Sequence, residues 1–193
     1  MKKNNNPSQL PTRCPWCEKD DLYRSYHDNE WGKPVYDDAT LFEFLVLESF
    51  QAGLSWHTIL KKRENFRKAF DSFDYQKIAQ YSDEKVAELM QNDGIIRNRL
   101  KILATINNAQ RFMEVQQQFG SFSKYIWDFV DGKPIVNRPK TLQDIPATTE
   151  LSDKIAKDLK KKGFKFLGST VVYAHLQATG MINDHLEDCD FRE

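Results

Sequence analysis

A chain of 193 residues in which 28 Lys and Arg balance 28 Asp and Glu has no net charge to mark it as a nucleic-acid binder, so any such surface must be a local basic patch. With 40% hydrophobic and 29% charged residues, it has the composition of one well-buried domain, and no apolar run is long enough to span a bilayer. Three cysteines are too few for a disulfide scaffold and favour a reducing compartment, the cytoplasm.

Residues 1–12 read as a disordered polar leader with Lys2, Lys3, a run of asparagines, Pro7 and Pro11, and not as a signal peptide. The domain is therefore expected over residues 13–193. Asp38 is expected to cap a helix over residues 39–52 ended by Gly53, and Ser55 to cap the next, over 56–70. Ser82 opens a helix over 83–92. A long helix over 98–118 carries Ile102, Ile106, Ala109 and Met113 on one stripe. Pro134, Pro139 and Pro146 mark a loop-rich connection. Thr149 then opens a helix that ends at Gly163, and Ser169 opens one that ends at Gly180. No period-two stretch and no repeat interrupts this series, so the predicted fold class is all-α.

Several constellations stand out. Cys14 and His27 near the start, with His185 and Cys189 near the end, supply two thiolates and two imidazoles, a closed tetrahedral zinc set that would clip the termini together. Cys14 and Cys17 also form a CxxC, so Cys17 is an alternative ligand at this point. The first third is crowded with Trp16, Tyr23, Tyr26, Trp31, Tyr36 and Trp56. Most such aromatics are core, yet a wall of them beside a carboxylate suits a flat, cationic or hydrogen-bonding ring. That carboxylate is Glu48, on one helical stripe with Leu41, Phe44 and Leu45 and so aimed into packed interior, whereas Glu43 is expected to reach solvent. After it, Gln51-Ala52-Gly53-Leu54-Ser55-Trp56 puts a small-residue loop with one leucine between two helices, a shape able to wedge into a base stack. Gly163 and Gly168 bound a hairpin that opens a helix at Ser169, and Lys160, Lys161, Lys162 and Lys165 surround it, as a phosphate site requires.

Together these segments resemble one family. Arg13-Cys14, Tyr23, Tyr26-His27-Asp28-Asn29-Glu30-Trp31-Gly32, Leu47-Glu48, Gln51 to Trp56, Lys61-Lys62-Arg63-Glu64-Asn65, Gly94-Ile95-Ile96-Arg97, Gly163 to Gly168 and Asn183-Asp184-His185 are similar to the type I 3-methyladenine DNA glycosylases, a branch of the helix–hairpin–helix DNA glycosylases. The resemblance covers roughly residues 13–189. It implies excision of N3-methyladenine from double-stranded alkylated DNA, with the free base as product, by hydrolysis and without lyase chemistry. The chain is expected to act as a monomer. By resemblance, Cys14, His27, His185 and Cys189 are the structural zinc ligands and Cys17 is not. Glu48 is the catalytic carboxylate, and Tyr26, Trp56, Trp16, Tyr23 and Trp31 bind the base. Gly53 and Leu54 enter the duplex, while Gly163, Lys165, Gly168 and Ser169 hold backbone phosphate. Most of the wider superfamily places a catalytic aspartate where this chain has Asn183, with Asp184 beside it.

Overall fold

The computed structural model describes residues 10–192. The expected leader falls almost wholly outside them, and Thr12 is hydrogen-bonded to Asp190 at the other end of the chain. Among the described residues there are nine α-helices: α1 (Asp21–Asn29), α2 (Asp38–Gln51), α3 (Trp56–Ala69), α4 (Tyr75–Ile78), α5 (Asp83–Gln91), α6 (Arg99–Phe119), α7 (Phe122–Trp127), α8 (Glu150–Lys161) and α9 (Ser169–Ala178). The mostly helical expectation holds. Eight of the nine begin on a side chain that accepts a hydrogen bond from the first turn: Asp20, Asp37, Ser55, Asp74, Ser82, Asn98, Ser121 and Thr149. The exception is α9, which starts behind Gly168 with no side-chain acceptor.

Three local expectations need correction. Asp37, not Asp38, caps α2, accepting from Thr40. Asp38 lies inside the first turn and accepts from the backbone N–H groups of Phe122 and Ser123, so it caps α7 across space. The buried stripe of α6 runs through Ile102, Thr105, Ala109 and Phe112, while Ile106 and Met113 are only half-buried. The rotation is set by Phe112, whose ring packs on Phe42 of α2, Tyr75 of α4 and Phe122 of α7. Glu43 does not reach solvent freely, because Arg63 and Arg67 of α3 both bridge to it, at 2.5 and 2.8 Å.

Helices α1, α4 and α7 and one strand pair escaped the sequence reading. β1 (Ile135–Val136) and β2 (Ile182–Asn183) pair in parallel, Ile135 opposite Ile182. Two residues per strand leave no alternation to detect. The pair ties the proline-rich loop to the segment that carries His185.

The centre of the core is α2, which packs against α3, α6, α7 and α9. Leu41, Phe42, Phe44, Leu45, Val46, Leu47 and Phe50 are all buried, so the helix is apolar on every side and surrounded by others. Any polar side chain on its inner turns is carried into the interior with it.

Candidate active site

Glu48 is that side chain. It is 3% exposed, and its Oε2 has no hydrogen-bond partner. Burial pushes its pKa from 4.5 up to about 8. Arg63, whose guanidinium lies over the Phe44 ring, bridges Glu30 and Glu43 instead.

The carboxyl opens onto a cavity of about 300 Å³. Trp16, Tyr23 and Tyr26 reach it from the N-terminal segment and α1, Trp31 from the turn after α1, and Trp56 from the first residue of α3. Trp16 meets Tyr23 and Trp31 edge-on, with centroids 4.9 and 5.0 Å apart. Trp56 leans on Tyr26 at 5.4 Å. Behind them, Phe44 backs both rings, and the Arg63 guanidinium lies 5.0 Å from the Phe44 centroid. Tyr23 stacks on His57, which is held by Asp20 at 2.6 Å. Trp56 Nε1 is buried with no acceptor, so a free donor and a free acceptor stand at one cavity. The tyrosine hydroxyls stay protonated there: burial raises Tyr23 to about 12 and Tyr26 well above its ordinary value.

All six aromatic and acidic residues expected at the base pocket thus lie around one cavity. Tyr36 does not; it is exposed and stacks on Trp127. Sequence reasoning missed Leu142 and Ile145 of the proline-rich loop, and Ala174 and Gln177 of α9, which complete the lining. Gln51, read only as part of the loop, lines it too. Gln177 left a faint signal as the lone amide on an otherwise largely apolar helix; its Nε2 is held by Asp184 at 2.7 Å. Leu142 and Ile145 left none.

Beside the cavity the chain turns sharply. Gly53 has φ +84 and open space around it, a conformation that favours glycine. Leu54 is 41% exposed, so it is not a core residue of an ordinary helical hairpin. The second glycine-bounded turn, before α9, is shaped by Gly163 at φ +86. Asn108 receives the Lys165 N–H and donates to its carbonyl, pinning that hairpin to α6. Phe166 and Lys165 stand exposed, and Ser169 Oγ bonds Ser152 of α8 at 2.8 Å.

At the termini, ligand atoms of Cys14, His27 and Cys189 lie within 4.8 Å of one another, all buried, and could hold a metal ion. His185 belongs to the same cluster, its ring centroid 4.8 Å from that of His27. Its Nε2 is buried without a partner, and burial lowers its pKa to about 4, keeping the imidazole neutral as a ligand must be. Each ring is oriented through Nδ1: His27 by Asp28 at 2.8 Å, His185 by Asn183 at 2.9 Å. Arg13 in turn holds Asp28. Such outer partners fix the tautomer that points Nε2 inward. The Cys189 thiol is pulled down from its ordinary value, chiefly by a hydrogen bond from Cys14 and also by one from His27. Cys17 faces away, its sulfur on the Cys14 carbonyl, and burial raises it to about 12.

Asn183 and Asp184 are both occupied. Asn183 orients His185 and donates to the Arg192 carbonyl. Asp184, buried, accepts from Asn137, Tyr173 and Gln177. No free general base stands there.

Comparison with known proteins agrees with this geometry. Over 177 residues the chain is 49% identical to DNA-3-methyladenine glycosylase 1 of Escherichia coli, covering 92% of this chain and 95% of that protein. It is 47% identical over 180 residues to the DNA-3-methyladenine glycosylase of Haemophilus influenzae, covering 93% and 97%. A crystal structure of a tyrosine-to-phenylalanine variant of 3-methyladenine DNA glycosylase I in complex with 3-methyladenine superposes with a TM-score of 0.91. It is 40% identical and covers 94% of this chain and 97% of that one. Residues 16–193 match the methyladenine glycosylase family, and with an aromatic-walled cavity around one buried carboxyl in the matching fold, the chain belongs to that family.

Proposed function

We propose that this protein hydrolyses the N-glycosidic bond of N3-methyladenine in alkylated DNA, releasing the free base and leaving an abasic site. The observation that carries the reading is the unpartnered, buried Glu48 carboxyl inside a cage of aromatic rings. Its support is the set of relatives above, which bear this activity in their names.

Methylation at N3 makes the adenine ring cationic, and its departure moves positive charge onto the sugar, as in other oxocarbenium-like glycosidic cleavages. The leaving group needs no acid. The protein must take the base out of the stack, recognise it and hold it. Glu48 accepts from the exocyclic amine and is the group we assign as catalytic. Trp56 and Tyr26 stack on the ring, adding cation–π attraction on the order of 1–2 kcal/mol when desolvated. Trp16, Tyr23 and Trp31 shape the rest of the wall. Gly53 and Leu54 fill the gap left in the duplex. With no lysine assigned to attack the sugar, the reaction ends at hydrolysis, without strand cleavage.

Cys14, His27, His185 and Cys189 would hold a zinc ion with no open position, so the ion is structural. Cysteines kept as ligands suit a reducing cytoplasm. The chain acts there as a monomer, one helix–hairpin–helix domain over residues 13–193 whose terminal lobe the zinc clips.

Incubation with methylated duplex DNA tests the reading. Free 3-methyladenine should appear in the supernatant, nothing should come from unmodified DNA, and abasic strands should stay intact until treated with alkali. Intact methylated DNA after prolonged incubation would overturn it.

The hairpin Gly163 to Gly168, with Lys165 and Ser169, grips backbone phosphate. Its support is that α9 is the one α-helix among the described residues whose first turn lacks a side-chain acceptor, leaving N–H groups for an anion. Gly168 has ordinary φ, and a Cβ there would meet nothing within 4 Å. Gly168→Glu should therefore fold normally while placing a carboxylate where phosphate belongs. DNA affinity should fall at least about tenfold, or 1.4 kcal/mol, with quenching of tryptophan fluorescence by free 3-methyladenine unchanged. Parent-like DNA affinity would move the grip elsewhere.

A further inference from the structure

The loop that carries Leu54 leaves α2 without a normal ending. Ala52 has already left helical geometry at φ −49 and ψ 116, and no backbone N–H closes the last turn from the C-cap position. Within the loop, Leu54 N donates to Gln51 O at 2.6 Å. The main support comes from a distant part of the sequence. Lys101, in the first turn of α6, is 6% exposed. Its Nζ donates to the carbonyls of Phe50 and Ala52, each at 2.9 Å. One carbonyl belongs to the last turn of α2 and the other to the loop beyond it.

A buried ammonium is an expensive way to fill space. Its charge is met here by carbonyl dipoles, aided by the negative end of α2, and not by a carboxylate. Burial accordingly lowers its pKa. A methionine would pack with a similar stem and no desolvation cost. What only the ammonium does is join the end of α2 to the loop, and so fix where Leu54 stands relative to Glu48 and Gln51 on the same helix end.

We propose that Lys101 is a positioning residue for the reaction, holding the Gly53–Leu54 wedge in register with the base pocket so that opening the stack and receiving the base occur in one geometry. The proposal rests on the glycosylase reading above. It assigns to Lys101 a role on duplex substrate in particular, since a single strand has no stack to open.

The test compares single-turnover excision from methylated duplex and methylated single strand by Lys101→Met and Lys101→Gln. The duplex rate should fall about tenfold for Lys101→Met, less for Lys101→Gln, and the single-strand rate far less, so that the ratio of the two rates drops. Added to Leu54→Ala, Lys101→Met should lower that ratio no further, because the wedge it positions is already gone. A general loss of packing would slow both substrates alike and add to Leu54→Ala, and either result overturns the proposal. If Lys101→Met does not fold, the same comparisons on Lys101→Gln decide the matter. A parent protein that releases no 3-methyladenine from either substrate would instead refute the glycosylase reading itself.

Discussion

Glu48→Gln is expected to slow excision of 3-methyladenine from duplex DNA about 100-fold while raising the melting temperature of the free protein. The loss follows from removing a buried charge opposite a cationic ring. A hydrogen bond to a charged group contributes about 1.5–3 kcal/mol, and each 1.36 kcal/mol is tenfold in rate. The gain in stability has a definite sign with pH. Burial raises the folded pKa to about 8 from 4.5, so the folded protein holds this proton more tightly than the unfolded chain. The stability linked to the group is fully present below pH 4.5 and is lost as pH rises through 8. The glutamine variant carries no such loss. The gap between the two melting temperatures should widen from pH 5 to 8 and level off above. At pH 7 it reflects about 3 kcal/mol, or roughly 6–12 °C for a domain of this size.

The same physics yields selectivity. At neutral pH the empty pocket holds Glu48 largely protonated, and a cationic ring repays the cost of ionising it where neutral adenine cannot. Melting curves from pH 5 to 9, beside single-turnover rates, check both halves. A pH-independent gap, or a rate within threefold of the parent, would mean that Glu48 is not the ionising group at the base.

How much of this was legible in the sequence differs by residue. Glu48 was, because a carboxylate on the Leu41, Phe44 and Leu45 stripe breaks an apolar helix, and burial of that whole helix makes the break meaningful. The glycine-bounded turns at Gly53 and Gly163 were, since positive φ favours one residue type. The cap of α2 was misplaced by one residue because Asp37 and Asp38 are chemically equal there, and only the position of α7 shows that Asp38 serves a second helix. Leu142 and Ile145 reach the pocket by way of an irregular loop with no period to read. Lys101 was invisible for a related reason: its partners Phe50 and Ala52 are backbone carbonyls some fifty positions away, which no side-chain pattern encodes. Cys17 was ambiguous in sequence, and the direction of its sulfur, toward the Cys14 carbonyl, sets it apart from the cluster.

Cys189→Ser is expected to release the proposed zinc and lower the melting temperature by about 10 °C. The ligands come from both ends of the chain, where the other ties of the last residues include Thr12 to Asp190, Asn183 to the Arg192 carbonyl and Arg13 over the Phe191 ring. Glu187 and Asp190 each donate one backbone bond to a distant segment, to Pro139 and Thr12. A seryl hydroxyl stays protonated at neutral pH and cannot replace a thiolate. Losing a native cross-link costs on the order of 2–5 kcal/mol, and each kcal/mol shifts the midpoint of a domain this size by about 2–4 °C. The damage should not stop at the terminus. Trp16 packs edge-on against His27 at 5.2 Å, and Trp31 against His185 at 4.6 Å. Both tryptophans line the base cavity, so two proposed zinc ligands also buttress its wall. Affinity for free 3-methyladenine should therefore fall several-fold in Cys189→Ser, even below its new melting temperature. Cys17→Ser alters a buried sulfur outside the cluster and should keep its metal. One equivalent of zinc retained by Cys189→Ser, with an unshifted melting curve, would remove Cys189 from the ligand set and uncouple the terminus from the pocket.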